Sequence, residues 1–89
     1  EIINSGYSVF IGENAGKNDD LSYNSNVFIG YNAGTDNTTG QNNSIVGSSA
    51  FEKNTTGYYN SSIGVIALGK NTTGWYSTAV GYGALYSNS

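Results

Sequence analysis

The chain has no cysteine, histidine, proline or methionine, and only 10% of its 89 residues are charged. Each absence closes a class of function. Without cysteine there is no disulfide framework, no thiolate nucleophile and no sulfur ligand. Without histidine no His-based triad and no imidazole-led metal site can be built. Without proline every backbone N–H remains available to a hydrogen-bonded ladder. The cations are Lys17, Lys53 and Lys70, the net charge is −3, and so there is no basic footprint for nucleic acid. No apolar run approaches the roughly 18 residues of a membrane span, and no membrane insertion is expected in this segment.

Hydrophobic residues are also scarce, at 37%, against about 45–50% in an ordinary domain on a count that also includes glycine. Such polarity often accompanies disorder. Here the low charge and the fixed placement of the apolar residues argue for an ordered chain.

What the chain has instead is a repeat. A β-branched residue, a glycine and, three positions later, an alanine recur five times: Ile11-Gly12 with Ala15, Ile29-Gly30 with Ala33, Val46-Gly47 with Ala50, Ile63-Gly64 with Ala67, and Val80-Gly81 with Ala84. The last four glycines are spaced 17 apart and the first interval is 18. A period this short suits one coil of a β-solenoid. The fold class expected is all-β: a parallel β-solenoid (β-roll) of about five coils, with repeats at roughly 6–21, 22–39, 40–56, 57–73 and 74–89. The whole of 1–89 reads as a single solenoid segment of a longer repeat protein. Glu1 to Ser5 reads as the tail of something earlier, and Asn88-Ser89 as the start of another corner.

Within the unit Gly57 to Thr73, Asn60 to Ile63 reads as a short strand. Alternation assigns Ser61 and Ile63 to one face and Ser62 to the other. Taking the branched residue as inward gives a core ladder of Ile11, Ile29, Val46, Ile63 and Val80, faced by Ala15, Ala33, Ala50, Ala67 and Ala84. Gly12, Gly30, Gly47, Gly64 and Gly81 are read as turn glycines, followed by a second short strand. Asn-Thr-Thr-Gly at 37–40, 54–57 and 71–74 reads as a corner, since Asn bonds its own backbone and Gly supplies the turn. Stacked coils about 4.8 Å apart make five coils roughly 24 Å long. Asn and Thr ladders are expected outside. Two further columns exchange bulk along the chain: Phe10, Phe28, Ile45, Ser62, Ala79 and Gly16, Gly34, Phe51, Leu68, Leu85. Alternation places both outward, which points to a contact with neighbouring chains; a monomer with a thicker, two-layer core is the plainer alternative.

The run Ser-Thr-Ala-Val-Gly-Tyr-Gly-Ala-Leu at 77–85, with Asn-Thr-Thr-Gly before it, resembles the head repeats of trimeric autotransporter adhesins. It is also similar to repeats of phage and bacterial tail fibres, over residues 6 to 89. The resemblance implies a left-handed roll, three copies about a threefold axis, and a place outside the cell, at a cell surface or on a virion. Departures from that pattern are the longer unit, the first interval of 18, and the phenylalanines Phe10 and Phe28.

Few residues offer chemistry. The acids Glu1, Glu13, Asp19, Asp20, Asp36 and Glu52 never share a site in adjacent coils, so a carboxylate-pair hydrolase has little support. Asp19 and Asp20 with Asn18 form a candidate calcium group, beside the plainer reading of a solvated loop. No catalytic residue, no metal ligand and no cofactor are assigned. Tyr58, Tyr59, Trp75 and Tyr76 form a candidate ligand surface, since aromatic faces beside polar groups suit a sugar; stacked edge aromatics of purely structural value are the alternative. Asn37, Asn54 and Asn71 head Asn-x-Thr triplets and Asn42 and Asn60 head Asn-x-Ser, making them candidate glycan acceptors, although the plainer and preferred reading has Asn there for the corner and Thr for β propensity. Regular threonines resemble an ice-binding face, but adjacent Thr-Thr points its hydroxyls to opposite sides. The function expected is structural and adhesive, with the chain itself as principal partner and a host surface or carbohydrate as ligand. The alternatives are a subunit of an end-to-end stacked, glycosylated filament, or a lone carbohydrate- or ice-binding module.

Overall fold

A computed structural model describes residues 7–20 and 24–86; Glu1 to Ser5 and Asn88-Ser89 lie outside the described residues. The chain is a parallel β-solenoid. Its strands are β1 (Val9–Ile11), β2 (Val27–Ile29), β3 (Ser44–Val46), β4 (Ser61–Ile63) and β5 (Thr78–Val80). They form one five-stranded parallel sheet in chain order. Register is direct: Ile11 pairs with Ile29, Ile29 with Val46, Val46 with Ile63, and Ile63 with Val80. One copy of the repeat therefore lies on the next, and like residues form vertical columns.

The extra residue of the first interval is located by hydrogen bonds. The Asp20 N–H donates to the Thr38 carbonyl, 18 positions ahead, whereas the Thr38 N–H donates to that of Thr55, 17 ahead. The Asn42 N–H reaches back to the Asn24 carbonyl, as Tyr59 does to Gln41. The insertion thus falls between Asp20 and Asn24 and leaves the register of every strand intact.

Each coil has one strand, and the expected second strand is replaced by turns. The Ala67 N–H returns to the Gly64 carbonyl and the Asn71 N–H to that of Leu68. The cause lies in the backbone: Gly64 has φ +143°, Ile66 +52° and Leu68 +53°, and alternate left-handed residues cannot continue a pleat. The turn glycines are in place. A Cβ on Gly30 would lie 2.6 Å from the Gly47 carbonyl oxygen, so stacking at this column requires glycine as much as its φ does.

The inward face is the opposite of the one expected. Phe10, Phe28, Ile45, Ser62 and Ala79, the middle residues of the strands, are buried, while Ile11, Val46, Ile63 and Val80 are exposed and Ile29 half-buried. A three-residue strand on a thin coil can turn only its centre inward, and its two flanks then face out. The alanine ladder does lie inside: Ala15, Ala33, Ala50 and Ala67 are buried and Ala84 packs against the core. The bulk-exchanging columns face each other within the coil, not a neighbouring chain. A Cβ on Gly34 would meet the Phe28 ring at 2.5 Å, and one on Gly16 the Phe10 ring at 2.6 Å. Where the strand centre shrinks to Ile45 or Ser62, the opposite column grows to Phe51 or Leu68, and all four are buried. Phe10 stacks on Phe28 at 5.3 Å.

The asparagines are likewise inside, not on an outer ladder. Two columns, Asn26/Asn43/Asn60 and Asn37/Asn54/Asn71, have no exposed surface. Nδ2 of Asn43 donates to Oδ1 of Asn26 and to the Gly57 carbonyl, while its Oδ1 accepts from the N–H and Nδ2 of Asn60. Nδ2 of Asn71 donates to Asn54 and that of Asn54 to Asn37. Each Nδ2 donates once toward the preceding coil and once to a corner glycine carbonyl, of Gly40, Gly57 or Gly74. Both chains converge on Asp19, whose Oδ2 lies 3.3 Å from Nδ2 of Asn26 and 3.5 Å from that of Asn37. A carboxylate only accepts, so it suits the end of a run of donors. Buried amides satisfied on all sides hold the register where apolar volume is small.

Candidate functional site

Two surfaces remain once the fold has used its residues. The first is the outer face of the sheet. Its rank Ile11, Ile29, Val46, Ile63, Val80 runs the length of the described solenoid, and four of these residues are between 39% and 71% exposed. The parallel rank starts as half-buried Val9 and Val27 and turns polar at Ser44, Ser61 and Thr78. A continuous branched apolar row on one face of a sheet is unusual for surface left in water. The two columns expected to face a neighbouring chain are interior, and the exposed apolar surface is the branched row instead. The signal that assigns the face is the size exchange itself, since constant summed bulk belongs to two side chains sharing one interior.

The second surface is a corner of the last two coils, where the four aromatics singled out from the sequence do come together. Tyr58 and Trp75 stack with centroids 5.7 Å apart and planes 2° from parallel. Tyr59 and Tyr76 stack at 5.1 Å, also within 2°. The two stacks meet edge to face, with Tyr58–Tyr59 at 5.6 Å and Trp75–Tyr76 at 5.2 Å, both at 70°. Sequence spacing of 17 puts the members of each stack one coil apart. Tyr59 and Tyr76 have φ +59° and +58°, held by their N–H bonds to the carbonyls of Gln41 and Tyr58. All four rings stay between 37% and 64% exposed.

The remaining candidates fare differently. Asn37, Asn54, Asn60 and Asn71 are buried and fully engaged in the amide ladders, so a folded coil offers no room for a glycan on them. Among the proposed acceptors only Asn42 is exposed. Asp19 and Asp20 receive the Nδ2 of Asn24 at 3.1 and 3.0 Å, which places Asp19 at the end of the ladders and not in a solvated loop. Among the described residues no group of three or more His, Cys, Asp or Glu side chains could hold a metal ion. The corner threonines stay half-buried or exposed, as expected, and brace the stack, Thr38 Oγ1 donating to the Thr55 carbonyl and Thr55 Oγ1 to that of Thr72. No described helix is long and apolar enough to cross a membrane.

Comparison with known proteins finds no relative: no family model, no curated protein and no solved structure matches the chain. The class that the fold defines is the parallel β-solenoid repeat protein.

Proposed function

We propose that the chain is a non-catalytic, structural and adhesive segment of an extracellular fibre, the head or stalk of a surface adhesin or phage tail fibre, assembled from copies of itself. The observation that supports this most is the exposed Ile11/Ile29/Val46/Ile63/Val80 row, which lies on one face and repeats at every coil. An identical row on a second and third copy offers it a matching apolar surface, and three copies about one axis cover all three rows. The resemblance of residues 71–85 to adhesin head repeats favours the same arrangement, and a left-handed roll with it. A fibre that meets its target through many equivalent coils gains strength by avidity and has little need of a deep pocket.

Sedimentation equilibrium on residues 1–89 tests the reading. A trimer is expected, and Ile63→Lys, on an exposed face, is expected to give a folded monomer. A wild-type monomer at all concentrations contradicts it. An open-ended series of sizes favours the second reading, an end-to-end stacked filament.

A further inference from the structure

We infer that the aromatic corner formed by Tyr58, Tyr59, Trp75 and Tyr76 is a binding site for a neutral carbohydrate; this rests on the adhesive reading above and names its ligand class. The fold does not require aromatics there. In coil 3 the same two columns hold Gln41 and Asn42, and in coil 2 Asn24 and Ser25, as the shared Asn42–Asn24, Tyr59–Gln41 and Tyr76–Tyr58 backbone bonds show. Coils 2 and 3 stack without aromatics at this corner, so the rings of coils 4 and 5 are not a condition of stacking. None of the four rings is buried, which separates them from Phe10, Phe28 and Phe51, the rings that do fill the interior.

The chemistry of the corner is uncharged throughout. No Asp, Glu, Lys or Arg occurs at 54–69 or 71–86, and none at 37–51. Lys53 and Lys70 precede these segments, and Lys70 Nζ lies over the Tyr86 ring, 5.4 Å from its centroid, so the corner segments themselves offer an anionic glycan or a nucleic acid no counter-charge. A neutral sugar needs none: it stacks its C–H faces on aromatic rings and directs its hydroxyls to uncharged polar groups. Such groups border the rings. Gln41 and Asn42 are exposed, stand one coil above Tyr58 and Tyr59, and spend no side-chain hydrogen bond on another described residue. The platform is also rigid. Left-handed backbone at Tyr59 and Tyr76, pinned by ladder bonds, and mutual stacking leave little side-chain freedom to lose on binding.

Isothermal titration calorimetry with chitohexaose, cellohexaose and xylohexaose tests this, using residues 1–89 in their native assembly. Saturable binding of at least one sugar is expected, with a matching change in the fluorescence of Trp75, the single tryptophan. Trp75→Gln and Tyr76→Asn install the residues that coil 3 already carries and so keep the fold; each is expected to weaken binding about tenfold or more. Failure of all three sugars to bind, or unchanged affinity in both variants, overturns the proposal. So does dissociation of the assembly by either variant, since the corner is then a contact between chains. Lost sugar binding with an intact trimer leaves the fibre reading standing, whereas a monomer that binds sugar removes the fibre reading and retains the site.

Discussion

A Cβ on Gly34 would stand 2.5 Å from the ring of Phe28. The glycine and the phenylalanine face each other across one thin coil, and their sizes are set jointly. One coil on, the bulk changes sides, with Ile45 on the strand and Phe51 opposite, both fully buried. Gly34→Phe alone is expected to cost about 3 kcal/mol by overpacking. Combined with Phe28→Ile, which reproduces the pair of the next coil, it is expected to recover about 2 kcal/mol in a double-mutant cycle by urea unfolding. Simple additivity of the two losses contradicts the shared interior.

Asn54 has four uses: Nδ2 donates to Oδ1 of Asn37 and to the Gly57 carbonyl, and Oδ1 accepts from Nδ2 of Asn71 and the Gly57 N–H. Asn54→Ala leaves those partners buried and unmet, at about 3 kcal/mol or more. Asn54→Asp is expected to be similarly harmful at neutral pH, because a carboxylate then faces the amide oxygen of Asn37. Asn42→Ala, at an exposed position with φ +58°, is expected to cost only about 1 kcal/mol. Thermal unfolding followed by far-ultraviolet circular dichroism ranks the three; equal losses at 42 and 54 contradict a buried ladder.

Ser62 is the inward residue of β4, and its Oγ is buried with no hydrogen-bond partner. Its neighbours in the column, Ile45 and Ala79, are apolar. Ser62→Ala is expected to stabilise the chain by about 1 kcal/mol, raising Tm by several degrees. A fall in Tm means that the hydroxyl is satisfied by a group such as a bound water.

The period, the parallel stacking and the turn glycines were legible in the sequence, because a coil repeated five times prints its constraints at every seventeenth residue. The facing of the strands was not. Alternation offers two phases, and Ile63 looks more like a core residue than Ser62 by hydrophobicity alone; only the exchange between the Ser62 and Leu68 columns identifies the interior. Asn37, Asn54 and Asn71 misled for a related reason. Asparagine belongs outside when it stands alone, and inside when identical amides above and below satisfy it. The aromatic corner was visible because Tyr58 and Trp75 fall in one column, though spacing could not show the edge-to-face meeting of the two stacks.

The stacking register is tested most directly by cross-linking paired cysteines in a chain that has none of its own. Ser44, Ser61 and Thr78 are exposed partners on successive strands, about 4.8 Å apart, within disulfide reach of roughly 4.4–6.8 Å. Under mild oxidation at high dilution, S44C/S61C and S61C/T78C are expected to form intramolecular disulfides, while S44C/T78C, two coils apart, is not. Rapid closure of the 44/78 pair, or failure of both adjacent pairs, contradicts coils stacked one upon the next.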